Sequence, residues 1–248
     1  MFPLRDENPH FLTPYATWGL IGLNVLAWLL VQGLGTEPAL SRSMCNLALI
    51  PGEVLQTAAP GTRVPLGPGI TCVLGGSSTW YTTITSMFLH GGWFHLIGNM
   101  WFLYIFGNNV EDSMGHTRFV IFYLLCGLAA AALQTVFDPD STIPMVGASG
   151  AIGGVMGAYI LLYPKVRVHM LIVFGFYITT IAVPAVFMLG YWFLLQLISG
   201  FSTLGSQGGG VAFWAHVGGF VAGGLLILLF RDPRLVKRHP NHGWNPRG

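Results

Sequence analysis

The sequence predicts an all-α membrane protein, a bundle of six spanning helices with both termini in the cytoplasm. Three observations carry that prediction. Of the 248 residues, 53% are hydrophobic and only 8% charged, against roughly a quarter charged in soluble domains. Six apolar runs, at about 16–34, 92–108, 118–137, 149–163, 170–199 and 212–230, match or approach the length that crosses a hydrocarbon core of about 30 Å. An N-terminus inside the cell puts Arg5, Arg118, Lys165, Arg167, Arg231, Arg234, Lys237, Arg238 and Arg247 on the cytoplasmic side. Only Arg42 and Arg63 then lie outside, and this bias sets the orientation. Because lipid cannot satisfy exposed backbone groups, every run is expected to be helical.

Taken in order, residues 1–15 form a short cytoplasmic start, and residues 16–230 form the helical domain. The first run follows the mixed Arg5-Asp6-Glu7 and is closed by no Ala-X-Ala pattern, so it is a retained helix and not a cleaved signal. The extracytoplasmic loop at about 35–81 is rich in Pro and Gly and carries short apolar patches such as Leu47-Ala48-Leu49-Ile50, and part of the loop is expected against the membrane surface. Cys45 and Cys72 share that loop and are expected to pair there, whereas Cys126 sits inside an apolar helix. The fifth run exceeds one span and contains Pro184, which predicts a kinked or tilted helix with Trp192 and Phe193 near its outer end. Residues 231–248 read as a basic, mostly disordered cytoplasmic tail. A net charge of +2, with its basic residues at the C-terminal end, excludes nucleic acid as a partner and leaves membrane lipid as the surroundings.

The second, fourth and sixth runs all enter the membrane from outside. Their N-terminal ends carry His95, Ser149 and His216, each within about 10 Å of the outer boundary at 1.5 Å per residue. Ser149 lies in Gly147-Ala148-Ser149-Gly150, a turn leading into a glycine-rich helix, and the flanking glycines clear space for another backbone to approach its hydroxyl. His95 and Asn99, four residues apart, share one helix face. Ser149, Gly153 and Gly157 on one helix and Gly219 and Gly223 on another have the small-residue spacing that lets backbones pack closely. Packing along those faces sets His216 opposite Ser149. A histidine is suited to take the proton of a weak serine nucleophile. Asn99, His95 and the Ser149 backbone N–H are the available donors for an oxyanion at a helix N-terminus. A zinc site built on His90, His95 and His216 lacks both a His-Glu-X-X-His motif and a carboxylate base, so neither metal nor cofactor is expected. A proton or substrate path would call for a repeat relating two halves, and the chain has none.

These residues resemble the rhomboid family of intramembrane serine proteases. The likeness covers about residues 80–230 and rests on Thr85-Ser86-Met87-Phe88-Leu89-His90, His95-X-X-X-Asn99, Gly147-Ala148-Ser149-Gly150 and Ala215-His216-X-X-Gly219-X-X-X-Gly223. The Arg5-Asp6-Glu7-Asn8-Pro9 start looks like bacterial members. The resemblance implies a six-helix bundle with a short central fourth helix, in the cell membrane, its water-filled site opening to the extracytoplasmic side. It further implies Ser149 as nucleophile, His216 as base, and His95, Asn99, Gly147 and Ser149 around the oxyanion and substrate. Single-pass transmembrane proteins are the implied substrates. The alternative is an inactive relative that binds membrane helices, although such proteins usually lack the serine or histidine present here. Two departures stand out. The family's Trp-Arg pair is replaced by Trp80-Tyr81-Thr82, and Gly153 stands where some members carry an aromatic ring that supports the histidine. Substrate entry is expected through movement of the fifth helix and the loop 199–210, with Phe213 and Trp214 sealing the cavity between turnovers.

Overall fold

A computed structural model of the chain describes residues 2–67, 69–75, 79–203 and 210–242. The elements run β1 (Phe2–Asp6), α1 (Tyr15–Leu30), α2 (Ala39–Leu47), α3 (Pro51–Val54), β2 (Arg63–Gly67), β3 (Ile70–Val73), α4 (Thr82–Thr85) and α5 (Trp93–Met114). They continue with α6 (His116–Phe137), α7 (Ser149–Leu162), β4 (Arg167–Phe174), β5 (Tyr177–Pro184), α8 (Ala185–Ser202), α9 (Phe213–Phe230) and α10 (Pro233–Arg238). The helices α6, α8 and α9 are long and apolar enough to cross a membrane, and α1 and α7 are shorter apolar helices.

Three expectations need correction. The fold is mostly helical but not all-α, because β1, β4 and β5 form one antiparallel sheet and β2 and β3 another. The fifth apolar run is not a single kinked helix. Its first half is the β4–β5 hairpin, and Pro184 is the residue at which α8 begins, with Trp192 and Phe193 mid-helix and not near an end. Val168–Val183 is rich in β-branched and aromatic residues around Gly175, whose φ of +59° makes the turn; such a run supports a strand as readily as a helix. The tail is also more ordered than composition suggests: α10 is capped by Asp232, and His239 packs on Tyr163 at 4.6 Å. Residues 243–248, the remainder of that predicted tail, lie outside the described residues.

The N-terminal segment is part of the fold, held by the carboxylates that end α5. Asp112 accepts the backbone N–H groups of Phe11 and Leu12 at 2.8 and 2.9 Å. Fully buried Glu111 accepts from Ala16 N, from the N–H and hydroxyl of Thr17, and contacts the His116 ring. The N-cap of α1 is Pro14, which offers no side-chain cap, so Glu111 neutralises the first-turn donors from across the bundle. β1 then lies along α5, where Trp101 Nε1 donates to Pro3 O at 2.7 Å and the Phe2 ring stacks on Trp101. On its other side, Asp6 receives the Tyr159 hydroxyl at 2.6 Å.

The centre is α7, fourteen residues of which nearly all are buried. Its partner across the tightest seam is α9. A Cβ on Gly219 would collide with the Gly150 carbonyl, one on Gly223 with that of Gly154, and one on Gly157 with that of Phe220. Small residues at these positions remove the side chains that would hold the backbones apart. The long loop after α1 has a small core of its own made by Ile50, Val64, Cys72 and Leu74, and in it Cys45 is bonded to Cys72. Leu49 pairs with Met145 in both directions, which fastens this loop to the turn that precedes Ser149.

Removing the Glu111 carboxylate strips a buried charged acceptor from four donors, each such bond contributing about 1.5–3 kcal/mol. Glu111→Ala is expected to lower the unfolding midpoint in detergent by several degrees, with a smaller loss for Glu111→Gln. An unchanged melting curve for Glu111→Ala would show that the α1 N-terminus needs no cap.

Candidate active site

A cavity of about 790 Å³ opens at the end of the bundle where α5, α7 and α9 begin, and it is lined by His95, Asn99, Gly147, Ser149, Trp192 and His216 among others. Every residue predicted for the site therefore meets in one place. Ser149 is the first residue of α7, and the α7–α9 seam brings the His216 ring against it, with Oγ to Nε2 at 2.8 Å.

The ring is held from its other side by a residue that the sequence reading missed. Gln196 Oε1 lies 2.8 Å from His216 Nδ1, and the amide's own Nε2 donates to Trp192 O at 3.3 Å. That second bond fixes which end of the amide faces the ring. An acceptor opposite Nδ1 means that Nδ1 carries the proton, and Nε2 presents its lone pair to the Ser149 hydroxyl. Trp192 also covers the ring, centroid to centroid 5.7 Å. Gln196 was the only amide or charged side chain in an otherwise apolar and hydroxyl-bearing run, 185–203, and that was the available signal.

The empty position at Gly153 follows from the same packing. A Cβ there would come within 3.1 Å of the His216 carbonyl and 3.5 Å of Phe220 N, so the approach of α9 leaves no room for a ring. Support for His216 comes from α8 instead.

His95 accepts the Gly91 N–H at Nδ1, 3.2 Å away, so in the neutral ring Nε2 carries the proton. That nitrogen faces Gly147, where an added Cβ would lie 2.7 Å from it, and φ at Gly147 is +127°, a conformation that disfavours side chains. Gly147 N donates to Ser86 O at 2.9 Å, which pins the turn. Asn99 is buried, and its Nδ2 has no hydrogen-bond partner among the described residues. Two side-chain donors thus converge beside the first N–H groups of α7, which have no acceptor within their own helix. His90 packs its ring 5.2 Å from that of His95, fully buried and off the cavity lining. Phe213 lines the cavity, but Trp214 does not: it stacks on Phe137 at 3.7 Å and meets Phe201 edge-on at 5.0 Å. The expected sealing role of Trp214 is corrected accordingly. Of the proposed entry loop, residues 204–209 lie outside the described residues.

Comparison with known proteins gives the same direction. The chain is 33% identical over 139 residues to rhomboid protease GluP of Bacillus subtilis, covering 56% of this chain and 26% of that protein. It is 38% identical over 82 residues to Rhomboid-like protein 11, chloroplastic, of Arabidopsis thaliana, covering 33% and 29%. It is 30% identical over 169 residues to RHOMBOID-like protein 1 of the same plant, covering 66% and 38%. The chain thus spans well under half the length of these relatives. The family model described as Rhomboid domain matches residues 77–233, from just before α4 to the start of α10, and the chain belongs to the rhomboid family of membrane proteins.

Proposed function

We propose that the protein is an intramembrane serine endopeptidase that cleaves single-pass transmembrane proteins near the outer leaflet. The observation that carries this reading is the 2.8 Å contact between Ser149 Oγ and His216 Nε2, on the lining of a cavity of about 790 Å³. In this reading α1, α5, α6, α7, α8 and α9 cross the membrane, residues 16–230 form the catalytic domain, and both termini lie in the cytoplasm. The excess of Lys and Arg at the Glu111 end supports that orientation. At fourteen residues, α7 is about 21 Å long, which leaves Ser149 below the outer surface and within reach of water.

Chemistry follows from the proton positions. His216 Nε2 takes the Ser149 hydroxyl proton as Oγ attacks the scissile carbonyl, and the imidazolium that forms keeps its Nδ1–H on Gln196. Charge on the former carbonyl oxygen is received by His95 Nε2–H, Asn99 Nδ2–H and the Ser149 backbone N–H. His216 then gives the proton to the departing amine, and water repeats the sequence on the acyl-enzyme. Gln196 is a positioning residue: it touches no reacting atom, but sets the tautomer and the angle of the base.

A fluorophosphonate probe is expected to label Ser149 in the purified wild type, and Ser149→Ala and His216→Ala are each expected to abolish cleavage of a transmembrane substrate. The double variant should be no worse than either single one, since the pair acts as a unit. Turnover by Ser149→Ala at near wild-type rate would eliminate the dyad. Asn99→Ala is expected to lower kcat by about 10²–10³ with little change in KM; a change in KM alone would make Asn99 a binding contact. Gln196→Leu is expected to cost ten- to a hundredfold in kcat, the equivalent of one lost hydrogen bond, and Gln196→Glu to restore most of it. Equal activity of the Leu variant would remove Gln196 from the mechanism.

A further inference from the structure

The long loop between α1 and α4 is tied on one side to the residues that lead into Ser149. Leu49 and Met145 exchange backbone hydrogen bonds at 3.0 and 2.7 Å, Gly52 N donates to Ser141 O at 2.9 Å, and the Thr57 hydroxyl donates to Pro139 O at 3.0 Å. Beside that stretch, the Thr85 hydroxyl donates to Leu47 O at 2.7 Å, next to Ser86, whose carbonyl receives Gly147 N. The turn from Met145 to Gly147 is thus pinned at both ends, by Leu49 and by Ser86. Gly147 is the residue that faces His95 Nε2, and the Ser149 N–H stands two residues further on. A shift of Leu49 therefore passes through its Met145 pair to the groups placed to receive the oxyanion, where small misplacements are costly.

What keeps Leu49 in place lies on the loop's other side. Its neighbour Ile50 is buried in the small core with Val64, Cys72 and Leu74, and the β2–β3 segment that supplies those three is joined to α2 by the Cys45–Cys72 bond and to α3 by Gly75 N on Glu53 Oε1 at 3.2 Å. A unit of under about 40 residues seldom holds together on its apolar core alone, and disulfides are the usual supplement outside the cytoplasm. This bond joins positions 27 apart and confines the hairpin against Ile50. Cys72 is buried and Cys45 half-buried, so a small dithiol reaches the bond from the Cys45 side. Cys126 is a free thiol in the bundle core and takes no part. Leu40, Met44, Pro51 and Leu66 of the same loop line the cavity, which makes the loop a wall of the site as well as a support for the turn.

We propose that Leu49 is a positioning residue for the oxyanion turn, held there by the Cys45–Cys72 bond, and that the enzyme reaches full activity only once an extracytoplasmic thiol oxidant has formed that bond. This rests on the protease reading. Oxidation joins the two sulfurs, with two protons released and two electrons passed to a disulfide of the oxidant; a dithiol reverses it by exchange through a mixed disulfide. The two parts played by the loop differ in what they affect. A cavity wall touches only a long substrate, whereas a support for the turn acts on any reagent whose oxygen enters the oxyanion site, however small.

The test compares oxidised wild-type enzyme with enzyme reduced by dithiothreitol, below the melting temperature of both, with reduction verified by alkylation of Cys45 and Cys72. Fluorophosphonate labelling of Ser149 and kcat on a transmembrane substrate are expected to fall together by at least about tenfold, the Met145 amide to exchange its hydrogen faster, and reoxidation to restore all three. Unchanged labelling and exchange after full reduction overturns the proposal, and so does a loss of transmembrane cleavage with labelling intact, which would leave the loop a wall only. Should the reduced enzyme unfold, Leu49→Pro removes the donor to Met145 O with the disulfide in place, and Ala48, at a ψ of 150°, accepts a following proline. The same joint fall is expected there, and labelling at the wild-type rate overturns the proposal. Absence of Ser149 labelling in the oxidised wild type would instead sink the protease reading, and exchange at Met145 would still decide whether the bond holds the turn.

Discussion

Two backbones in contact set the position of everything else. Where α7 meets α9, glycines lie against carbonyl oxygens at Gly219–Gly150, Gly223–Gly154 and Gly157–Phe220. In a bilayer no hydrophobic force drives helices together, so close van der Waals packing of this kind is what holds them. The seam also fixes the spacing of the two side chains at its upper end, because Ser149 opens one helix and His216 lies in the first turn of the other. A single methyl group in the seam would push His216 away from Ser149. The structural and the chemical demands on these glycines are the same demand.

Around that seam, the polar groups of the bundle are placed in two tiers. At one end, Glu111 and Asp112 take up the open N–H groups of the N-terminal segment and of α1. At the other, His95 and Asn99 hold their donors toward an empty space, and Asn99 Nδ2 has no partner. A buried donor without an acceptor costs stability, and such groups persist where a ligand supplies the acceptor. The Glu111 and Asp112 carboxylates have their donors, whereas the Asn99 amide at the cavity has no acceptor among the described residues.

Much of this was legible in the residues. Runs of apolar sequence located α1, α5, α6, α7 and α9 to within a few residues, except that α5 continues past 108 to Met114 through Asn108, Asn109, Glu111 and Asp112, whose polarity hid the final turns. Spacing along helix faces was enough to bring Ser149, His216, His95 and Asn99 together. The hairpin was not legible, because an uncharged run of thirty residues looks the same to a length criterion whether it is one tilted helix or two strands and a helix. Nor was β1, five residues whose pairing with β4 depends on a partner far along the chain. Gln196 stood out in the sequence only as a lone amide; its role appears once α8 is packed against α9.

The ties of the N-terminal segment bridge long stretches of chain: Ala16 to Glu111 spans 95 residues, and Tyr159 to Asp6 spans 153. Synthesis runs from the N-terminus, so α1 is made before its carboxylate cap exists, and β1 has no sheet to join until β4 has been made. The first helix therefore waits with its leading donors open until Glu111 has been made. Completion comes from downstream, so these long-range ties form only after the intervening helices have been made.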